Sequence, residues 1–154
     1  MADATDQVTV ERVVPAPAAA IFALLADPSR HQDIDGSGSV RGARGPAQKL
    51  ALGSRFGMSM KIGVPYAMES TVIAFEEDRL IAWQTRGPGW LGRKVGGRIW
   101  RYELEPVEGG TRVRETWDIS QESKLTLPMV RNQGDKTRVA MAATLDRIAE
   151  VLAD

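Results

Sequence analysis

The chain has no cysteine and a single histidine, His31, among its 154 residues. Disulfides, thiol nucleophiles and thiolate metal sites are therefore excluded, and one histidine with scattered acids builds no metal centre. Lack of cysteine also fits a reducing compartment. Neither sign of charge is in excess, since 20 Lys and Arg balance 20 Asp and Glu, so no global field draws the protein onto nucleic acid or an anionic membrane. No apolar run approaches the ~20 residues of a membrane span, and the opening MADATDQVTV is acidic where a secretory signal is basic and then apolar. We expect a soluble, cytoplasmic protein with no nucleic-acid partner, no integral membrane association, no metal and no cofactor. G-x-S-x-G and P-loop spacings are both missing, so serine-histidine-aspartate and phosphate-cradling chemistry find no support. The length suits one domain, residues 1–154, that buries about two-thirds of its unfolded surface.

The most informative stretch present is residues 98–119, RIWRYELEPVEGGTRVRETWDI. It reads as two alternating strands joined by a Pro/Gly turn. Trp100, Tyr102 and Leu104 share one side of the first strand, and Val113, Glu115, Trp117 and Ile119 one side of the second. For both rows to share a face of an antiparallel pair, paired numbers must sum to an odd value, which places Glu115 opposite Trp100 or Tyr102. Glu115 is the one carboxylate in an aromatic wall.

Elsewhere, residues 7–14 alternate as a half-buried strand stopped by Pro15 and Pro17. Pro17 opens a helix with the stripe Ile21, Phe22, Leu24 and Leu25, and Pro28 opens a second short helix through His31 and Asp33. Residues 41–53 are basic and Gly-rich and read as loop or irregular edge, with Arg41, Arg44, Lys49 and Arg55 as a solvated basic patch. Phe56, Met58, Met60 and Ile62 restore a period of two. Residues 66–75 and 80–85 form the next strand pair. Residues 86–97 carry five glycines around Trp90, a composition read as a lid. Asp135 is placed to cap a final helix, with Gly134 as a break before it, and Val139, Leu145 and Ile148 should point into the sheet.

The expected class is α+β: a curved antiparallel sheet gripping one long C-terminal helix, with two short helices after the first strand. Residue by residue, VERVVPAPAAAIFALLADPSRHQDIDGSG, FEEDRLIAW and RYELEPVEGGTRVRETWD, followed by the terminal helix, resemble the polyketide cyclase/dehydrase-like branch of the START-like, or SRPBCC, superfamily. The resemblance spans nearly the whole chain and implies the helix-grip fold. It does not choose a function, because relatives include lipid and steroid carriers, aromatase/cyclases and chaperone activators.

Met58, Met60, Trp83, Trp90, Trp100, Tyr102, Glu115 and Trp117 are the expected ligand-binding residues, since these large side chains exceed what the small-residue helix can cover tightly. Trp90 either closes over the cavity or docks on the surface. Glu115, Tyr102 and His31 are the candidate acid/base groups. The commoner fate of a carboxylate like Glu115 is pairing with an arginine, with the Tyr102 hydroxyl or with water, and that of His31 is a surface or capping role. The favoured function is binding of a small hydrophobic molecule such as a lipid, polyketide or aromatic metabolite. A cyclase/dehydratase-type enzyme and a protein-interaction module of the chaperone-activator or ribosome-associated kind are the alternatives.

Overall fold

The computed structural model describes residues 6–44, 48–62, 64–90 and 94–153. The chain runs β1 (Gln7–Val14), α1 (Ala18–Leu25), a 3-10 turn (Pro28–Arg30) leading into α2 (His31–Ile34), β2 (Val40–Arg44), β3 (Arg55–Ile62), β4 (Val64–Glu76), β5 (Leu80–Arg86), β6 (Gly96–Val107), β7 (Gly110–Asp118), α3 (Leu127–Arg131) and α4 (Gly134–Leu152). All seven strands form one antiparallel sheet in the order β1-β7-β6-β5-β4-β3-β2. The sheet curls around α4. This is the α+β helix-grip architecture that the sequence implied.

Three expectations are corrected. Residues 40–44 are an edge strand, β2, where a loop or irregular edge was expected from residue 41 on. An edge strand has only one neighbour to satisfy and needs no clean apolar alternation, and a bulge between Val40 and Gly42 further blurs its pattern. The Arg44 side chain of the expected basic patch lies outside the described residues. Helix α4 begins at Gly134, with Gln133 before it and no side-chain cap, so Asp135 sits inside the first turn, where its charge complements the helix dipole. Val139 is 71% exposed. At 100° per residue it lies about 120° around the helix from Leu145, outside the buried stripe of Met141, Thr144, Leu145 and Ile148.

Helix α1 is too short to persist alone and is held by burial of Ile21, Phe22, Leu24 and Leu25. Each such side chain contributes about 1.5–3 kcal/mol when fully buried. With Val14, Leu50, Ile81, Val113, Leu145 and Ile148 they make the main core. A second cluster of Val8, Trp117, Ile119, Val130 and Met141 closes the other end of the sheet. Between Met141 in one cluster and Leu145 in the other, α4 offers only Thr144 on the buried face, with Ala140 beside it. Gly36, just after α2, presses against this part of the helix: a Cβ there would collide with the Ala140 carbonyl and the Thr144 backbone nitrogen. Its N–H donates to Thr144 Oγ1 at 2.9 Å.

Candidate functional site

Where α4 is thin, a cavity of about 160 Å³ opens between helix and sheet. Its wall comes from β2 (Val40), β3 (Phe56, Met58, Met60), β4 (Met68, Ser70), β5 (Trp83, Thr85), β6 (Trp100, Tyr102), β7 (Glu115), the α2 region (His31, Ile34, Asp35, Ser37) and α4 (Ala140, Met141, Thr144). Ile34, Phe56, Met58, Trp83, Tyr102 and Glu115 are buried, while Asp35, Val40, Met60, Met68 and Thr85 are partly exposed and Ser37 is exposed. The latter group marks the open end.

The β6–β7 hairpin sets the polar centre. Tyr102 pairs directly with Glu115 and Trp100 with Trp117, an odd-sum register. Inward pointing of Val113 and Trp117 carries Glu115 inward too, because side chains alternate strictly along a strand. The Tyr102 hydroxyl donates to Glu115 Oε2 at 2.8 Å. No arginine reaches this carboxyl among its hydrogen-bonding and ion-pair contacts within the described residues, and its second oxygen, Oε1, is buried without a partner. Glu115 is 2% exposed. Loss of hydration pushes its pKa up to about 8; the bond from Tyr102 pulls the other way, and the negative charge of Asp35 adds to the rise. Burial, and then the adjacent Glu115, push the Tyr102 phenol well above its usual range.

His31 is 7% exposed, which corrects the surface half of the surface or capping role expected for it; it reaches the carbonyl of Leu25, the last residue of α1. Its Nε2 lies 2.8 Å from the Leu25 carbonyl oxygen and must donate to it, which leaves Nδ1 as the acceptor of a neutral ring. The ring stacks on Trp83 at 5.0 Å and meets Phe56 edge-on at 5.5 Å. Burial holds its pKa below the ordinary value, against the opposing pull of the Leu25 carbonyl. Neither nearby acid pairs with it. Asp33 binds Arg30 at 2.7 Å, and Asp35 accepts from Ser37 N, Ser37 Oγ and Val40 N.

Of the sequence-derived ligand residues, Met58, Met60, Trp83, Trp100, Tyr102 and Glu115 come together around the cavity. Trp117 does not line it. It sits behind Trp100, ring centroids 6.4 Å apart, in the second cluster. Trp90 is 73% exposed and also stands outside the lining. Residues 91–93 of the expected lid lie outside the described residues. Sequence reasoning did not select Ser70 and Thr85, whose hydroxyls meet at 2.9 Å across β4 and β5, or Thr144. A polar residue on the buried stripe of α4 was the available signal for Thr144. For Ser70 the signal was masked by a bulge between Val72 and Ala74, which puts Ser70 and Val72 inward before it and Phe75 inward after it. Among the described residues no group of three or more His, Cys, Asp or Glu is placed to hold a metal, and no helix is long and apolar enough to cross a membrane.

Residues 5–153 match the family described as "Polyketide cyclase / dehydrase and lipid transport", and the chain belongs to that family. Over 107 residues, 68% of this chain, it is 43% identical to the uncharacterized protein Rv0088 of Mycobacterium tuberculosis. That match takes in 44% of the relative, so the chain spans less than half the length of the curated relative. Among solved structures, protein CV1439 from Chromobacterium violaceum superposes with a TM-score of 0.72 at 13% identity, covering 97% of this chain and 98% of that one. The AHSA1-like protein from Aeromonas hydrophila gives 0.67 at 17% identity, covering 94% and 90%. At such identities the likeness concerns the fold alone.

Proposed function

We propose that this member of the family binds a small hydrophobic molecule in the cavity between sheet and α4, with Glu115 as its polar anchor. The observation that carries the reading is the buried, unpartnered Oε1 of Glu115 in a wall of aromatic and methionine side chains. A buried polar atom without a partner costs about 1–3 kcal/mol, and a ligand that satisfies it recovers that loss. Mostly apolar lining with a few placed polar groups is the usual make-up of a small-molecule site. Trp83 and Trp100 line the cavity and supply the assay, because their fluorescence will respond to an occupant. Saturable quenching by a one-ring aromatic ligand is expected in the native protein and should vanish in Ser70→Phe, whose ring fills the space. Identical titrations of the two proteins would remove the cavity from the account.

A second reading, an enzyme of the cyclase/dehydratase kind, draws on the same carboxyl. An acid with a pKa near the working pH is suited to proton transfer. The two readings separate in Glu115→Gln, which removes the titrating group but retains hydrogen-bonding capacity. Loss of turnover with ligand still bound marks the enzyme, and absence of turnover in both proteins marks the binder.

A further inference from the structure

We propose that the cavity selects neutral ligands that present a hydrogen-bond acceptor, such as a ketone or ester oxygen on a single ring, and rejects carboxylates of the same shape. This rests on the ligand-binding reading above and assigns the chemical class of its occupant.

The selection follows from atom-by-atom accounting of donors and acceptors. The Tyr102 hydroxyl donates to Oε2 at 2.8 Å, and with that bond kept Oε2 is the acceptor end of the carboxyl. In the neutral acid the proton therefore belongs on Oε1, the oxygen with no partner. Glu115 thus presents an O–H donor that no group among the described residues accepts. A ligand carbonyl, ester or ether oxygen completes it.

Charge excludes the other classes. Among the described residues no Lys or Arg lines the cavity. The titratable groups that face Glu115 are Tyr102 from β6, His31 from α2 and Asp35 just after α2. β1 sets Val10 beside Glu115, and α4 contributes only Ala140, Met141 and Thr144. His31 has committed its N–H to Leu25, and Asp35 at the open end is negative with both oxygens already bonded. A ligand carboxylate would pass one anion and lose its hydration with no cation to compensate it. An amine would need the opposite protonation state of Glu115. Size narrows the class further, because about 160 Å³ is close to the roughly 150 Å³ of an engineered apolar cavity that holds benzene.

The same geometry makes binding proton-linked. Around pH 8 neither His31, lowered from its usual value, nor Tyr102, raised well above its own, titrates. Glu115 alone changes state there, and on ionising it loses the donor.

The test uses the full chain with acetophenone, benzoate, benzylamine and ethylbenzene, titrated by tryptophan fluorescence at pH 6.5 and 9.5. At pH 6.5 acetophenone should bind at least tenfold more tightly than benzoate or ethylbenzene, and at pH 9.5 that advantage should shrink about tenfold. In Glu115→Leu the preference for acetophenone over ethylbenzene should disappear. If that variant does not fold, Glu115→Gln still decides the matter, because the fall in affinity above pH 8 should be absent from it. Benzoate binding as well as acetophenone, benzylamine binding most tightly with affinity that rises toward pH 8, or one shared pH profile for native and Glu115→Gln proteins would each overturn the inference while leaving a ligand site in place. Failure of all four probes to bind would overturn the ligand-site reading and the inference together.

Discussion

Glu115 and Glu122 are both buried, one in the cavity wall and the other in the turn after β7, and their surroundings treat them in opposite ways. Arg98 forks onto Glu122, with Nε on Oε1 at 3.2 Å and a terminal nitrogen on Oε2 at 2.9 Å, and Thr126 adds its hydroxyl to Oε2 at 2.6 Å. Every oxygen is accounted for. Around it, Ser123 N donates to the Gly96 carbonyl, and Gly97 lies so close to Gln121 that a Cβ would strike the Gln121 carbonyl. The Glu122 carboxylate therefore ties the start of β6 to the segment before α3. Glu115 has one hydroxyl, and its Oε1 has no partner among the described residues. The difference teaches that burial of a carboxylate does not by itself mark a site: a completed ion-pair network is architecture, and the incomplete one beside the cavity is where we propose a ligand.

The largest effect should come from breaking the completed network. Removing one partner of a buried ion pair typically costs 3–5 kcal/mol, and because Arg98 keeps some contact with water we expect about 3 kcal/mol for Glu122→Ala. Thermal unfolding followed by circular dichroism should show it as a drop of roughly 6–12 °C. Ligand charge preference should not change. Equal losses for Glu122→Ala and Glu115→Gln would erase the contrast between the two carboxyls.

A somewhat smaller effect appears in the pH dependence of stability. Glu115 has a pKa of about 8 in the folded chain against the usual 4.5, so between these values the folded chain holds a proton that the unfolded chain has released. Its contribution is fully present below about pH 4.5 and is lost as pH rises through 8. His31 works in the reverse sense: its folded pKa is lowered from 6.5, so stability rises with pH until the unfolded imidazole has also deprotonated. By about pH 7.5 the unfolded imidazole has released its proton as well, so from there to about pH 8 His31 no longer opposes Glu115. Urea unfolding across that window should show stability falling by up to about 1.4 kcal/mol per pH unit, and Glu115→Gln should flatten the slope. A native protein already flat over this range would mean that the carboxyl finds more compensation than one tyrosine.

The smallest effect is expected at Trp90. As an exposed side chain outside the cavity lining, its replacement by alanine should change stability by no more than about 0.5 kcal/mol and leave ligand affinity unchanged. A clear loss of affinity in that titration would bring Trp90 to the cavity as a gate.

The inward row of the last hairpin was legible because each strand keeps one phase from end to end; parity limited the partner of Glu115 to Trp100 or Tyr102, and the register decides for Tyr102. Helix α4 was legible in extent and, through Leu145 and Ile148, in its buried face, while Val139 and Ala142 continue an apolar spacing that the sheet does not use. The middle strands were obscured where a bulge shifted phase at β4, and that hid Ser70. Trp117 misled for another reason. Phase placed it on the correct face, but position along the strand, which decides between cavity and second cluster, depends on where α3 and Met141 pack. His31 could not be placed at all by local pattern, because its burial comes from Trp83 and Phe56, distant in sequence.

The most direct measurement is a carbon-13 NMR titration of the Glu115 side-chain carboxyl in the native protein, free and saturated with acetophenone. A midpoint near pH 8 in the free protein, moved higher when the ketone occupies the cavity, is the expected result. A midpoint in the ordinary carboxylate range, or one that the ketone leaves in place, would contradict the view of Glu115 as a buried neutral donor waiting for an acceptor.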